Sequence, residues 1–291
     1  SIQFGSDTAQ YFRLHVLRPF LDHFLKDAAP PIGIAPVTAF ETGTNQWLSL
    51  HSWPQGCAEG CRIERSKLYL QAGGHLGFSE AKAAAPNFEA YVADPAKPVP
   101  FLPRPIHTEG AAGARSWQTW LVSDQRDVAS RTDVLSFSTA PLTEPTKISG
   151  EPIANLIAST SGTDGDFVVK LIDVYPDEMG RQPELGGYQL MVSGDIFRGR
   201  YRESLSSPKP IPAEKKQVYR FALPTANHVF LPGHRIMVQV QSSWFPLYDR
   251  NPQTYVDNIF FASPGDYKKA TIKVFDSGAD SSYVDLPRVT P

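Results

Sequence analysis

Two hydrophobic periods divide the chain. After Ser6, the candidate N-cap, apolar residues fall at Leu17, Phe20, Leu21, Phe24 and Leu25, the stripe of one helix face, with Phe12, Arg13 and Val16 one to two turns earlier. The spacing predicts one long amphipathic helix. Pro19 removes a backbone donor and should bend it, and Ala28-Ala29-Pro30-Pro31 stops it. Such a helix needs a surface to lie on. With a proline break right behind it, it reads equally as the last helix of a preceding domain or the first of this one.

From about Ile34 onward the period is two. Ile236, Val238 and Val240 alternate with Met237, Gln239 and Gln241; Phe167, Val169 and Leu171 alternate with Val168, Lys170 and Ile172; Ala270 to Phe275 repeats the pattern more weakly. Further strands are predicted at 35–40, 68–71, 116–122, 134–138, 153–159, 187–192, 218–223 and 258–261. Turn signals such as Thr163-Asp164-Gly165-Asp166 and Leu231-Pro232-Gly233-His234 separate them. The chain holds 26 prolines in 291 residues, well above the ~5% average, which suits turns and edge strands and excludes a helical bundle. The fold class is mainly β, a jelly-roll β-sandwich preceded by one long helix, because double-sheet packing hides the edges of many short strands. The stretch from Asp94 to Ser116 has neither period, alternates proline with glycine, and is a long loop of the kind that covers a binding surface or stays without order.

Composition narrows the partners. At 41% hydrophobic and 20% charged residues the chain can bury a large core. Lys+Arg 28 against Asp+Glu 30 leaves a net charge of -2 with no basic run beyond the pairs Lys215-Lys216 and Lys268-Lys269, which argues against nucleic acid. No apolar run approaches the ~20 residues that span a bilayer, and Ser1 to Gly5 has no leader character, so any signal peptide would lie upstream. Cys57 and Cys61 have only His51 and His75 nearby, outside zinc spacings. A small-loop disulfide, which would point to an oxidising compartment, is the better reading over two free thiols.

Hydrolytic chemistry is not encoded here in any usual form. The nearest string to a G-x-S-x-G nucleophile elbow is Gly77-Phe78-Ser79-Glu80-Ala81, which ends in the wrong residue and lies among strands. The seven histidines form no H-E-x-x-H or paired ligand spacing; His15 reads as a packed or rim side chain, and His228 and His234 as structural hydrogen-bonders. Asp164, Asp166 and Asp173 cluster on a glycine turn whose oxygens can hold calcium, although an EF-hand would need alternate ligands and a terminal Glu; turn-capping aspartates are the other reading. Trp117, Trp120, Trp244, Phe245 and Tyr248 read as core or interface residues, or as a stacking platform for sugars.

Several blocks resemble one family in order: Asp166-Phe-Val-Val-Lys-Leu-Ile-Asp-Val-Tyr-Pro176, Phe197–Ser204, Leu223–Arg235 and Trp244-Phe-Pro-Leu-Tyr-Asp-Arg-Asn-Pro-Gln-Thr254. They are similar to the C-terminal jelly-roll domain of the α-amino acid ester hydrolases, relatives of cocaine esterase, glutaryl-7-aminocephalosporanic acid acylase-like enzymes and X-Pro dipeptidyl-peptidases. The resemblance extends to the opening helix. It implies residues 1–31 as the terminal helix of an α/β-hydrolase domain and 32–291 as the jelly roll. It further implies a Ser-His-Asp parent that cleaves or transfers acyl groups of α-amino acid esters and β-lactam amides. The nucleophile, its partners and the carboxylates that hold the substrate ammonium would all precede Ser1, so no catalytic residue is assigned and the chain alone is expected to be inactive.

The same resemblance makes the partners that hydrolase domain and, through it, a small ester or amide, with a second copy of the chain as a further candidate. Membrane and nucleic acid are not among them, and no cofactor is implied beyond the calcium already weighed. Cys57 and Cys61 fall where a secreted or periplasmic member could carry a bridge. Phe101 and Trp117 bracket the loop expected to approach the acyl pocket. Asp249, Arg250 and Asn251 are expected to form a hydrogen-bonded corner in which Arg250 pairs with a carboxylate. The alternative reading is a free-standing carbohydrate-binding module, which would show an exposed coplanar aromatic face and a filled calcium site.

Overall fold

The computed structural model describes residues 2–28, 31–80, 82, 83, 85–103, 105 and 117–291, with the side chains of Trp117 and Gln118 outside that description. Its strands are β1 (Val37–Glu41), β2 (Gln46–Leu50), β3 (Arg62–Gln71), β4 (His75–Gly77), β5 (Phe88–Ala93), β6 (Val134–Ser138), β7 (Thr146–Gly150), β8 (Ile153–Thr160), β9 (Asp166–Val174), β10 (Gln189–Arg198), β11 (Gln217–Ala222), β12 (Ala226–Phe230), β13 (Arg235–Gln241), β14 (Ala270–Phe275) and β15 (Tyr283–Thr290). Hydrogen-bonded neighbours run β10-β9-β13-β6-β4-β3-β15-β8-β14-β5, with β11 added on β8 and β7, itself paired to β12, added on β15. Val169 of β9 and Val274 of β14, near opposite ends of this path, share one buried cluster. The sheet therefore closes over itself as the jelly-roll β-sandwich expected from the strand pattern.

The strand β9 shows why its alternation is apolar on both phases. All nine of its residues are buried. Phe167, Val169 and Leu171 enter the main core, whereas Val168 packs under Phe101, Leu102 and Trp244 on the opposite face. Ile172 on that same opposite face meets Val174 and Met237. A loop layer thus covers the outside of the β9–β13 sheet, and replacing a fully buried residue such as Leu156 by alanine should cost about 2–5 kcal/mol.

Two predicted strands are not strands. Trp117–Val122 is a 3-10 turn, which sends Trp120 inward against Phe101 and Trp244 while Leu121 faces out at 48% exposure. Ile259–Phe261 is likewise a 3-10 turn, capped by Asn258, whose side chain accepts from the Phe260 amide. A short cluster of large apolar and β-branched residues mimics a strand in both segments.

The opening helix is built of α-helix Thr8–Phe12, a π turn Arg13–Leu17 and α-helix Arg18–Leu25. Asp7, not Ser6, caps it, its carboxylate accepting from the Gln10 amide at 2.8 Å. The π turn is how the helix absorbs Pro19: the Arg18 amide reaches back to the Arg13 carbonyl, five residues away, and the wider turn makes room for the ring. The helix touches the rest through Tyr11, stacked on Trp47 of β2 at 4.7 Å. β1 and β2 form a separate two-stranded sheet, joined to β12 where the Val229 amide donates to the Thr42 carbonyl.

Candidate functional site at the base of the long loop

Residues 104 and 106–116 of the predicted loop lie outside the described residues; Phe101 before them and Trp120 after them meet in an aromatic cluster on the outer face of β9. At the entry, the Phe101 amide donates to the Phe245 carbonyl at 3.0 Å, and its ring stands edge-on to Trp120 at 6.1 Å. Trp120, on the exit turn, stands edge-on to Trp244 at 5.5 Å, and Trp244 stacks on Tyr248 at 6.2 Å. Edge-to-face contacts of this kind each add about 0.5–1.5 kcal/mol beyond area burial. Trp244 is almost fully buried, so these rings pack against each other and do not present the coplanar exposed face a sugar platform needs. Trp117 opens the exit turn; its side chain lies outside the described residues.

Beneath the rings lies a buried amine. Lys170 is wholly inaccessible; its Nζ donates to Gln125 Oε1 at 2.8 Å and sits 5.0 Å from the centre of the Trp244 ring. Burial drives its pKa down to about 7, so the neutral amine is substantially populated near neutral pH. On the same face Lys170 is in register with Gln239 of β13, and Gln239 with Ser136 of β6. Gln239 Oε1 and Ser136 Oγ find no hydrogen-bond partner among the described residues. A lone lysine in an apolar run was the sequence signal for this row; periodicity alone places it on a face without revealing that the face is covered.

The corner of Asp249, Arg250 and Asn251 holds the Trp244–Tyr255 segment, with one difference from expectation. Asp249 accepts from Arg198 Nη2 at 2.9 Å, and the Asn251 amide donates to Asp166 Oδ1 at 2.8 Å. Among the described residues Arg250 pairs with no carboxylate. Its Nη1 donates to the Pro95 carbonyl at 3.0 Å and its guanidinium lies over Phe245 and Tyr267, at 5.7 and 5.2 Å. A carbonyl and two ring faces satisfy the planar cation and tie this segment to the loop's entry.

The aspartates of the glycine turn meet guanidinium groups. Arg200 Nε and Nη2 both donate to Asp164 Oδ2, at 2.9 and 2.6 Å, and Arg198 Nε is 3.5 Å from Asp166 Oδ1. Burial, partly offset by Arg198, raises the Asp166 pKa to about 7. Among the described residues no group of three or more metal-ligating side chains forms. Asp173 has left this cluster for two imidazoles: His234 Nδ1 at 2.8 Å from Oδ1 and His228 Nε2 at 3.3 Å from Oδ2. Sixty-one and fifty-five residues of separation hid this convergence.

A hydroxyl does meet that imidazole–carboxylate pair, since Thr42 Oγ1 lies 2.7 Å from His228 Nδ1. The arrangement is structural. Thr42 Oγ1 also donates to the Asn227 carbonyl at 3.2 Å, Asp173 is shared with a second histidine, and His228 is 1% exposed. Nucleophilic attack needs an accessible oxygen whose proton goes to the base. Elsewhere, Cys57 and Cys61 form a disulfide with Cα atoms 6.1 Å apart.

The chain is 33% identical over 247 residues to cocaine esterase of Rhodococcus sp., covering 81% of this chain and 39% of that protein. The solved structure of an α-amino acid ester hydrolase superposes with a TM-score of 0.92 at 57% identity, covering 99% of this chain and 46% of that one. An aminopeptidase from a marine sediment Thaumarchaeota archaeon superposes with a TM-score of 0.90 at 51% identity, covering 100% and 46%. The chain thus spans less than half the length of these relatives. Residues 34–285 match the family described as the X-Pro dipeptidyl-peptidase C-terminal non-catalytic domain, and the chain belongs to that family.

Proposed function

We propose that this chain is the non-catalytic C-terminal part of a serine hydrolase that cleaves or transfers acyl groups of α-amino acid esters and β-lactam amides. In this reading residues 1–31 complete a preceding α/β-hydrolase domain that carries the Ser-His-Asp residues, and 32–291 cover its cleft. One observation carries it: the helix Thr8–Leu25 has no buried residue, and Phe12, Phe20, Phe24 and Leu25 stand 42%, 46%, 62% and 75% exposed. An apolar helix face left in water marks a surface shaped for another body. In the proposed full-length protein, contact with the catalytic domain would bury that face.

Phe101, at the root of the loop, and Trp117, at its far end, are the proposed cleft residues; Phe101 is buried in the aromatic cluster over Lys170, so its part would be to fix where the loop starts, and Trp117 would be the one to approach substrate. The disulfide supports a secreted or periplasmic location, where such bonds persist. The chain by itself should show no saturable turnover of p-nitrophenyl esters or phenylglycine methyl ester, and the same chain joined to its upstream domain should show it. Turnover by the chain alone would refute the reading. In the joined protein, Trp117→Ala should change acyl preference, and an unchanged preference would remove the loop from the cleft.

A further inference from the structure

A second apolar surface adjoins the helix. Residues 190–194 of β10 line a groove of about 300 Å³, walled by Phe4, Trp120 and Leu121. Two hydroxyls along it are already engaged: Ser193 Oγ donates to the Pro224 carbonyl at 2.6 Å, and Thr42 Oγ1 donates to the Asn227 carbonyl and lies 2.7 Å from His228 Nδ1. No Asp, Glu, Lys or Arg is among the described residues that line it. The ammonium of an α-amino ester would find no carboxylate there, whereas an apolar side chain meets a largely apolar wall. The volume is also at the low end of the ~300–1,000 Å³ of small-molecule sites.

The groove and the helix form one continuous face. Phe4 meets Phe40 of β1 at 6.1 Å, Phe40 meets Trp47 of β2 at 5.2 Å, and Trp47 stacks on Tyr11 of the helix at 4.7 Å. Leu121 carries the apolar surface outward on the far side of the groove. These ring contacts link the helix to the edge of the groove, so a body that covers the helix lies beside the groove.

We propose that this groove receives an apolar side chain projecting from the catalytic domain of the same polypeptide, as a second anchor beside the helix. The inference rests on the functional reading above. Leu121 is its most direct probe, because in the chain alone its side chain is half in water and a change there leaves the sandwich core intact.

The test uses the full-length protein and follows its thermal unfolding midpoint together with KM for phenylglycine methyl ester. Leu121→Glu should lower the midpoint by about 4 °C or more, and Phe24→Glu on the helix should do the same. Leu205→Glu, at a site 82% exposed and outside both surfaces, should leave it within about 1 °C. If Phe24→Glu lowers the midpoint and Leu121→Glu does not, the groove is not an anchor and the functional reading stands. If neither moves it, the helix docks nothing and both ideas fall. A raised KM for Leu121→Glu with an unmoved midpoint would make the groove a substrate subsite and overturn the proposal.

Discussion

Arg200 and Asp164 are joined out of reach of water. Two guanidinium nitrogens converge on one carboxylate oxygen, the side chains are 3% and 0% exposed, and the cation also covers the Tyr255 ring at 4.6 Å. Removing one partner strands the other charge in a medium that solvates it poorly. Arg200→Met should therefore destabilise the domain by about 3–5 kcal/mol, whereas the double change with Asp164→Leu should recover much of the loss. Urea unfolding of the two singles and the double measures the coupling; equal losses in all three would contradict it.

Lys170 makes a prediction whose sign is fixed by linkage. Its folded-state pKa lies near 7 while the unfolded value is near 10.5, so between these pH values the unfolded chain binds more protons and stability rises with pH. Lys170→Met removes that rise. Against this, Gln125 Oε1 loses its donor, at a cost of about 1–3 kcal/mol. Wild type should gain stability between pH 7 and pH 9 relative to Lys170→Met, read by denaturant midpoints at the two pH values. Parallel midpoints would show that the amine titrates normally.

Asp166 shows the opposite slope. Burial lifts its folded pKa from 3.8 to about 7, so across that window the folded state holds the extra proton and stability falls as pH rises. Asp166→Asn keeps an acceptor for Asn251 and cannot ionise. The variant should match wild type near pH 4 and exceed it at pH 8. A variant weaker at pH 8 would mean that the pairing with Arg198 outweighs desolvation.

Gly43 fastens the β1–β2 hairpin to β12. Its φ is +91°, and a Cβ placed there would stand 2.1 Å from the Val229 carbonyl oxygen. Gly43→Ala should destabilise by about 1 kcal/mol or more and speed amide exchange at Val37–Leu50 more than in β9. Uniform protection across both regions would count against this attachment.

Strand content was legible wherever one face is core and the run is long. Phe167–Ile172 and Ile236–Val240 declare themselves because buried β-branched and aromatic residues recur at every second position. Tyr283–Thr290 did not, because Pro287 sits in its middle. Opposite Arg65 of β3 that proline is tolerated, and on its other side β15 has registered partners only at Tyr283–Asp285 and Arg288. Phe101 was legible as an aromatic residue at the start of an aperiodic stretch, but the side chains that pack around it were not. Trp120 imitates a strand residue, Gln125 lies in a segment without period, and Lys170 meets Gln125 only after β9 has been covered. Contacts made by closing a layer over a sheet leave no local pattern to read.

The helix leans on a hairpin that is a sheet of its own, and none of its side chains enters the main core. Substitutions on this exposed helix face are therefore decoupled from the sandwich's own folding free energy.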